Sequence, residues 1–416
     1  MTIGRREGAS PTDRTKGTPK ASWPARTGLL VHDRRRGRIY SLMAICVFGL
    51  VFTGAIVRSA LTADPQFGID FGAYWLAAGQ LAGGHSPYTP AMLAGPFPAQ
   101  GFGAFRYPPL LGQLAIPLSY LPLTAAKVVW LGLQIATLAA ALWISSVAGG
   151  ARNKLDRALS VGLAFTVFTP VFAGLLQGNI EGPMALLIAL ALIAGEGAAG
   201  TALACGTLIK IVPGLALPAL AARGRRGAAA FLGAALVLVV PSMLLSPGAW
   251  RDFAVVLPNM LEGSAAYHNN LAPAGALGAD PSLAQMELLV GLSRVLFIGA
   301  AVFLGGLSIW LARQRGGWPA ALFAATVAAT LAPAAIWYHY TVVLLPFAFY
   351  AWPRASERMR VGMLVGLAGF VLAVGWPILI TIPAFAIFIW SCLRALWPPS
   401  VAEQEAGSIA TATSLA

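Results

Sequence analysis

The stretch Arg34-Arg-Arg-Gly-Arg-Ile-Tyr-Ser-Leu-Met-Ala-Ile-Cys-Val-Phe-Gly-Leu-Val-Phe-Thr-Gly-Ala-Ile-Val-Arg58 decides the fold class. A cluster of arginines gives way at Ile39 to a run with no charge before Arg58. A helix rises about 1.5 Å per residue, so about 20 apolar residues cross a hydrocarbon core of about 30 Å. Residues 40–61 are therefore expected to form a first span, held as an uncleaved anchor because the tail before it is long. Comparable apolar runs recur from Tyr40 almost to Trp397. Over all 416 residues, 58% are hydrophobic and 10% charged, with a mean hydropathy of +0.74. Soluble domains are about 45–50% apolar and about 25% charged. This excludes a soluble enzyme, a secreted disulfide scaffold and a disordered chain, and implies an all-α polytopic membrane protein.

The net charge of +13 would suit a nucleic-acid binder, but its placement argues for a membrane. Ten of the 28 basic residues precede the first span, and Trp23 alone interleaves them where a base-stacking surface would need several aromatics. Such a tail marks the cytoplasmic side and favours anionic headgroups, so membrane lipids are expected partners and nucleic acid is not. Residues 1–38 are read as a disordered basic tail, 39–397 as the membrane body, and 398–416 as a second cytoplasmic tail. Arg223–Arg226, Arg313–Arg315 and Arg354–Arg360 mark further inside loops. The two long polar segments, 63–107 and 247–286, carry only Arg106 and Arg251 as basic residues and belong outside. Counting every apolar segment gives twelve spans but leaves Arg152, Lys154 and Arg157 outside. The count falls toward ten if 108–121 only dips into the membrane and 200–222 is a re-entrant pair broken near Pro213. Both schemes place the two long loops and the Trp337–Tyr340 junction on one outer face of an inner cell membrane.

The first outer loop opens Asp70-Phe-Gly-Ala-Tyr74, with Phe71, Tyr74, Trp75, Ala78 and Ala82 at helical spacing before Gly83-Gly84. This predicts a short surface helix with its aromatics toward the membrane. Asp70 reads either as an N-cap or as a base held at a helix N-terminus above the lipid. Phe105-Arg106-Tyr107-Pro-Pro109 carries the one cation of the loop, a phosphate ligand or a snorkelling arginine. Gln177-Gly-Asn179-Ile-Glu181 is a polar break between apolar segments, and Lys210 lies in an apolar segment before Pro213. Charge inside a span costs from about 2.5 kcal/mol upward, so Glu181 and Lys210 are functional candidates, or each other's partner. Tyr267-His268-Asn269-Asn270 and Trp337-Tyr338-His339-Tyr340 fall on the same outer face as Asp70 and Arg106. The three cysteines show no metal or disulfide spacing and read as small buried hydrophobes. No phosphate-loop, dinucleotide or zinc motif is present, so no cofactor is predicted, and metal dependence stays open.

In this order and spacing the motifs resemble glycosyltransferase family 87. Those carrying the resemblance are Asp70-Phe-Gly-Ala-Tyr74, Gly84-His-Ser-Pro-Tyr88, Phe105-Arg-Tyr-Pro-Pro109, the Gln177-Gly-Asn179 break, Lys210 before Pro213, and Trp337-Tyr-His339 before Leu345-Pro346. The break departs from the family pattern in reading Leu176-Gln-Gly-Asn. The resemblance implies a helical enzyme of the GT-C class, with about 10–12 transmembrane helices and a surface helix in the first outer loop. Such an enzyme moves a hexose, mannose in the first place, from a polyprenyl-phosphate donor to a lipid or glycan hydroxyl at the outer face. It carries over Asp70 as base and His339 as a site residue near the donor phosphate. Arg106 and Lys210 are assigned to the phosphate on charge grounds. Tyr74, Tyr107, Gln177, Asn179, His268, Asn269 and Tyr338 complete the candidate substrate-binding set. One base and a phosphate leaving group imply a single inverting displacement, whereas a glycosidase would need two carboxylates about 5–9.5 Å apart. The alternatives are transfer of another sugar, such as arabinose, or a lipid or sugar transporter, for which no two-fold repeat is visible.

Overall fold

The computed structural model of the chain describes residues 24–62, 64–95, 104–262, 287–333, 336–372 and 381–398. Among them there is no β-strand, and the chain is an all-α polytopic membrane protein. The first half runs α1 (Pro24–Leu61), α2 (Ile69–Ala82), α3 (Pro90–Ala94), α4 (Pro109–Leu114), α5 (Ile116–Ser119), α6 (Leu123–Ala148), α7 (Lys154–Thr166) and α8 (Thr169–Gln177). Next come α9 (Glu181–Ile193), α10 (Glu196–Ile209), a 3-10 turn (Val212–Ala216), α11 (Leu217–Arg223), α12 (Arg225–Leu245) and α13 (Pro247–Glu262). The remainder is α14 (Glu287–Ala312), α15 (Trp318–Leu331), a second 3-10 turn (Tyr338–Leu344), α16 (Leu345–Ala351), α17 (Glu357–Leu372) and α18 (Thr381–Leu396).

Helix α1 begins at Pro24, inside the stretch expected to lack structure. It leans on the bundle through α7 and leaves Tyr40, Leu42, Met43, Val47 and Leu50 exposed. Apolar exposure on that scale fits a helix surrounded by lipid rather than water. Cys46 is exposed on this helix, contrary to the buried reading, whereas Cys392 is buried and Cys205 lies between.

The described helices that are long and apolar enough to cross a membrane cover residues 35–61, 123–148, 225–245 and 294–312. A fifth crossing is possible through α7 and α8, which are bent by 63° at a short break. This is fewer than the 10–12 spans expected, and prolines account for much of the difference. Pro170, Pro213, Pro218 and Pro346 each stand in the first turn of a new helix or 3-10 turn, where a missing N–H costs nothing. The 108–121 segment becomes α4 and α5, of six and four residues, too short to span. The 200–222 segment breaks at Lys210, as the re-entrant scheme requires.

Two cores hold the body together. In the larger, α15 is buried over nearly its whole length, and Ala320, Ala321, Ala324, Ala325, Ala328 and Ala329 let neighbours approach its backbone closely. The smaller packs α2 against α4, α5 and α6, and α13 against α3 and α4, around Phe71, Tyr74, Tyr88, Phe105, Trp130 and Phe253. Phe71 and Tyr74 of α2 therefore face protein rather than lipid, whereas Trp75 is only partly buried and Ala82 is exposed. The site lies where the two cores meet.

Candidate active site

Asp70 is the second residue of α2, and its side chain does not cap the helix. The N-cap is Gly68, in the left-handed conformation at φ 63°, with no side-chain cap bond. Its N–H instead donates to the Leu176 carbonyl at 2.7 Å, tying the start of α2 to the end of α8. Gly178 ends α8 at φ 73°, a region open chiefly to glycine. A Cβ at Gly178 would stand 2.9 Å from Phe71 Cβ and 3.1 Å from Gly68 Cα. Trp130 Nε1 donates to the Gly178 carbonyl at 2.8 Å, closing the brace from α6. A left-handed turn thus delivers Asn179 beneath Asp70.

Asn179 is 3% exposed and is the hub of the site. Its Oδ1 accepts from the Ile180 N–H at 2.7 Å and, at 3.5 Å, from the Tyr107 hydroxyl. That fixes the amide orientation, so Nδ2 donates to Asp70 Oδ2 at 2.6 Å and lies 2.8 Å from His339 Nε2. The amide has two N–H groups, and this geometry directs one to each partner. His339 Nε2 is then the acceptor, and the ring proton sits on Nδ1. Burial pushes the His339 pKa down to about 4, in keeping with a neutral ring. Tyr74 donates to the Tyr107 hydroxyl at 3.0 Å, and Tyr88 donates to the Tyr107 carbonyl at 2.7 Å. The Gly84–Tyr88 motif thereby positions Tyr107.

Two residues beyond Asn179, Glu181 opens α9 and is 2% exposed. Its Oε1 accepts from Lys210 Nζ at 2.9 Å and lies 3.9 Å from His339 Nε2. Lys210, freed from helical geometry at the end of α10, also sets its ammonium 3.5 Å from the Tyr340 ring centroid. Glu181 Oε2 is buried without a hydrogen-bond partner among the described residues, a cost of about 1–3 kcal/mol. Glu181, Lys210 and Tyr340 line one side of a cavity of about 40 Å³, whose other walls include Ile188, Ala325 and Thr330.

The surroundings of Asp70 tune its acidity. Burial and the Glu181 carboxylate push its pKa up to about 6, against the opposing pull of the Asn179 hydrogen bond and the Lys210 and Arg106 charges. Arg106 is thus within electrostatic reach of the carboxylate. Among the described residues, no three His, Cys, Asp or Glu side chains gather as a metal site would require.

The structure therefore brings together Asp70, Tyr74, Arg106, Tyr107, Asn179, Lys210 and His339. Tyr338 turns aside, its hydroxyl paired with that of Thr169. Gln177 is half-buried at the end of α8 with no side-chain hydrogen bond among the described residues, in line with the departure of its motif. His268 and Asn269 lie outside the described residues. Gly178 and Tyr340 fall within the quoted motifs but carry no role of their own there, and Trp130 falls in none, since nothing local distinguishes an aromatic or a glycine in an apolar chain. The sequence model of glycosyltransferase family 87 matches residues 105–337. No curated protein and no solved structure matches the chain.

Proposed function

The chain belongs to glycosyltransferase family 87 and is a glycosyltransferase, and on that premise we propose that it moves a hexose, most simply mannose, from a polyprenyl phosphate to an acceptor hydroxyl at the outer membrane face. The observation that carries this reading is the Asp70 carboxylate, braced by Asn179, with its pKa pushed up to about 6 and two cations within electrostatic reach. A base with a pKa close to the working pH is both deprotonated and able to take a proton.

Asp70 removes the acceptor proton as that oxygen bonds to the anomeric carbon. The carbon–oxygen bond to phosphate breaks, and its electrons leave with the polyprenyl phosphate. Arg106 and Lys210 stabilise the charge that develops there. An ammonium has three donors; with one spent on Glu181, Lys210 keeps others for a phosphate oxygen. Glu181 is paired with that ammonium, and the proton transfer is assigned to Asp70. His339, neutral and joined to Asn179, holds the amide that holds Asp70. Tyr107 and Tyr74 line the approach to the carboxylate. The reading extends to a GT-C-type body in an inner membrane, with both termini cytoplasmic and a lipid or glycan acceptor outside.

The test is sugar transfer from synthetic polyprenyl-phosphate mannose by the purified enzyme and by Asp70→Asn, with Asp70→Ala as a folding control. Active wild type, and an Asp70→Asn that folds and binds donor without transferring, are expected. A retained anomeric configuration in the product would overturn the one-base displacement. Near-normal activity of Asp70→Asn would overturn the assignment of the base.

A further inference from the structure

Glu181 is a buried carboxylate that the transfer chemistry leaves without a step. Its neighbours are unusual for a group that only packs. Oε1 stands 2.9 Å from the Lys210 ammonium and 3.9 Å from His339 Nε2. The ammonium is gripped from its other side by the Tyr340 ring at 3.5 Å. Asn179 and Glu181 leave the same short turn after Gly178, so one backbone feature aims both. A buried ion pair by itself contributes little to stability, and this one leaves Oε2 without a hydrogen bond among the described residues. What the pair does supply is fixed geometry.

We infer that Glu181 is a positioning residue of the transfer: it locks the Lys210 ammonium in place for the leaving phosphate, and because it leaves the same turn as Asn179, which holds Asp70, base and cation keep one spacing. This rests on the reading of Asp70 as the base. Without Glu181, Lys210, on a flexible stem at a broken helix, would be held by the Tyr340 ring alone, a contact that does not fix the direction of its N–H groups. With Glu181 beside it, cation and base are anchored to residues two apart in the chain.

The experiment compares kcat, donor KM and the pH dependence of transfer for wild type, Glu181→Gln and Lys210→Met. Several groups face Asp70. Glu181 raises its pKa; Lys210, Arg106 and the Asn179 hydrogen bond lower it; and Tyr74 and Tyr107 stand alongside. For Glu181→Gln, kcat is expected to fall about tenfold to a hundredfold, the loss that a displaced reacting group brings, with a smaller change in donor KM. Its acid limb should also move to lower pH, since a negative charge near the base is gone. Lys210→Met should move that limb to higher pH. If Glu181→Gln loses activity in proportion to folded protein and keeps the wild-type limb, Glu181 is only structural and the inference fails. Should that variant not fold, Glu181→Asp decides: its shorter carboxylate keeps the charge but draws the ammonium away, so a fall in kcat with the wild-type limb supports the inference and a wild-type kcat overturns it. A wild type with no acid limb, or an active Asp70→Asn, would show separately that the base was misassigned, and the inference would fall with it.

Discussion

Asp70 illustrates how little of a residue's role its position in the sequence conveys. An acid at the start of a helix invites the cap assignment, yet Gly68 takes the N-cap position and the carboxylate turns to Asn179 instead. The consequence is a titration that an assay can follow. With its pKa raised to about 6, Asp70 is protonated and inactive as a base below that value, so transfer should rise with pH through about 6 and then level off. Asn179→Ala removes a hydrogen bond that favours the carboxylate, and the acid limb of the rate profile should move to higher pH. The same variant leaves His339 Nε2 without its partner, so a loss of about 1–3 kcal/mol in stability is expected from a denaturation series. Lys210 and Glu181 were legible as candidates from the cost of charge among apolar neighbours. That they pair with each other, across 29 positions, was one of two readings left open.

At the scale of elements, the site depends on the brace between α2, α6 and α8. Gly178 is in the left-handed region and lies against Phe71 and Gly68, so Gly178→Ala meets both backbone strain, about 1–2 kcal/mol, and a side-chain overlap. A lower Tm is expected, together with a fall in kcat, because the turn that aims Asn179 must shift. Trp130→Phe keeps the packing on Phe71 but loses the bond to the Gly178 carbonyl. About 1 kcal/mol of stability should go with it, measurable in the same thermal series. Helix α2 is legible as a 3.6-residue pattern, and its length agrees closely with the spacing. The direction of its aromatic face was not visible, because periodicity says which side chains share a face and not whether lipid or protein covers it.

For the whole molecule, the arginine-rich segments predict an inside face and the loop holding Asp70 an outside one. In a background lacking Cys46, Cys205 and Cys392, single cysteines at Gln66 and at Arg358 test this with a membrane-impermeant thiol reagent. Gln66 and Arg358 are both exposed, so access should be decided by side rather than burial. Labelling of position 66 and protection of 358 in sealed inside-in cells are expected; the reverse pattern would invert the proposed orientation.

The amino-acid sequence by itself determined that this is a helical membrane protein, because hydrophobicity and charge act residue by residue and add along a run. It also picked out Asp70, Lys210 and His339, since polar groups among apolar ones are conspicuous wherever they fall. The tertiary structure alone decided that Asn179 joins Asp70 to His339, over 109 and 160 positions of chain. It also decided where the apolar runs stop being single helices. A hydrogen-bond partner is chosen by which groups packing leaves within about 3 Å, and a proline ends a helix or merely bends it according to what neighbours supply to the freed backbone groups. Neither is a property of a residue and its flanks.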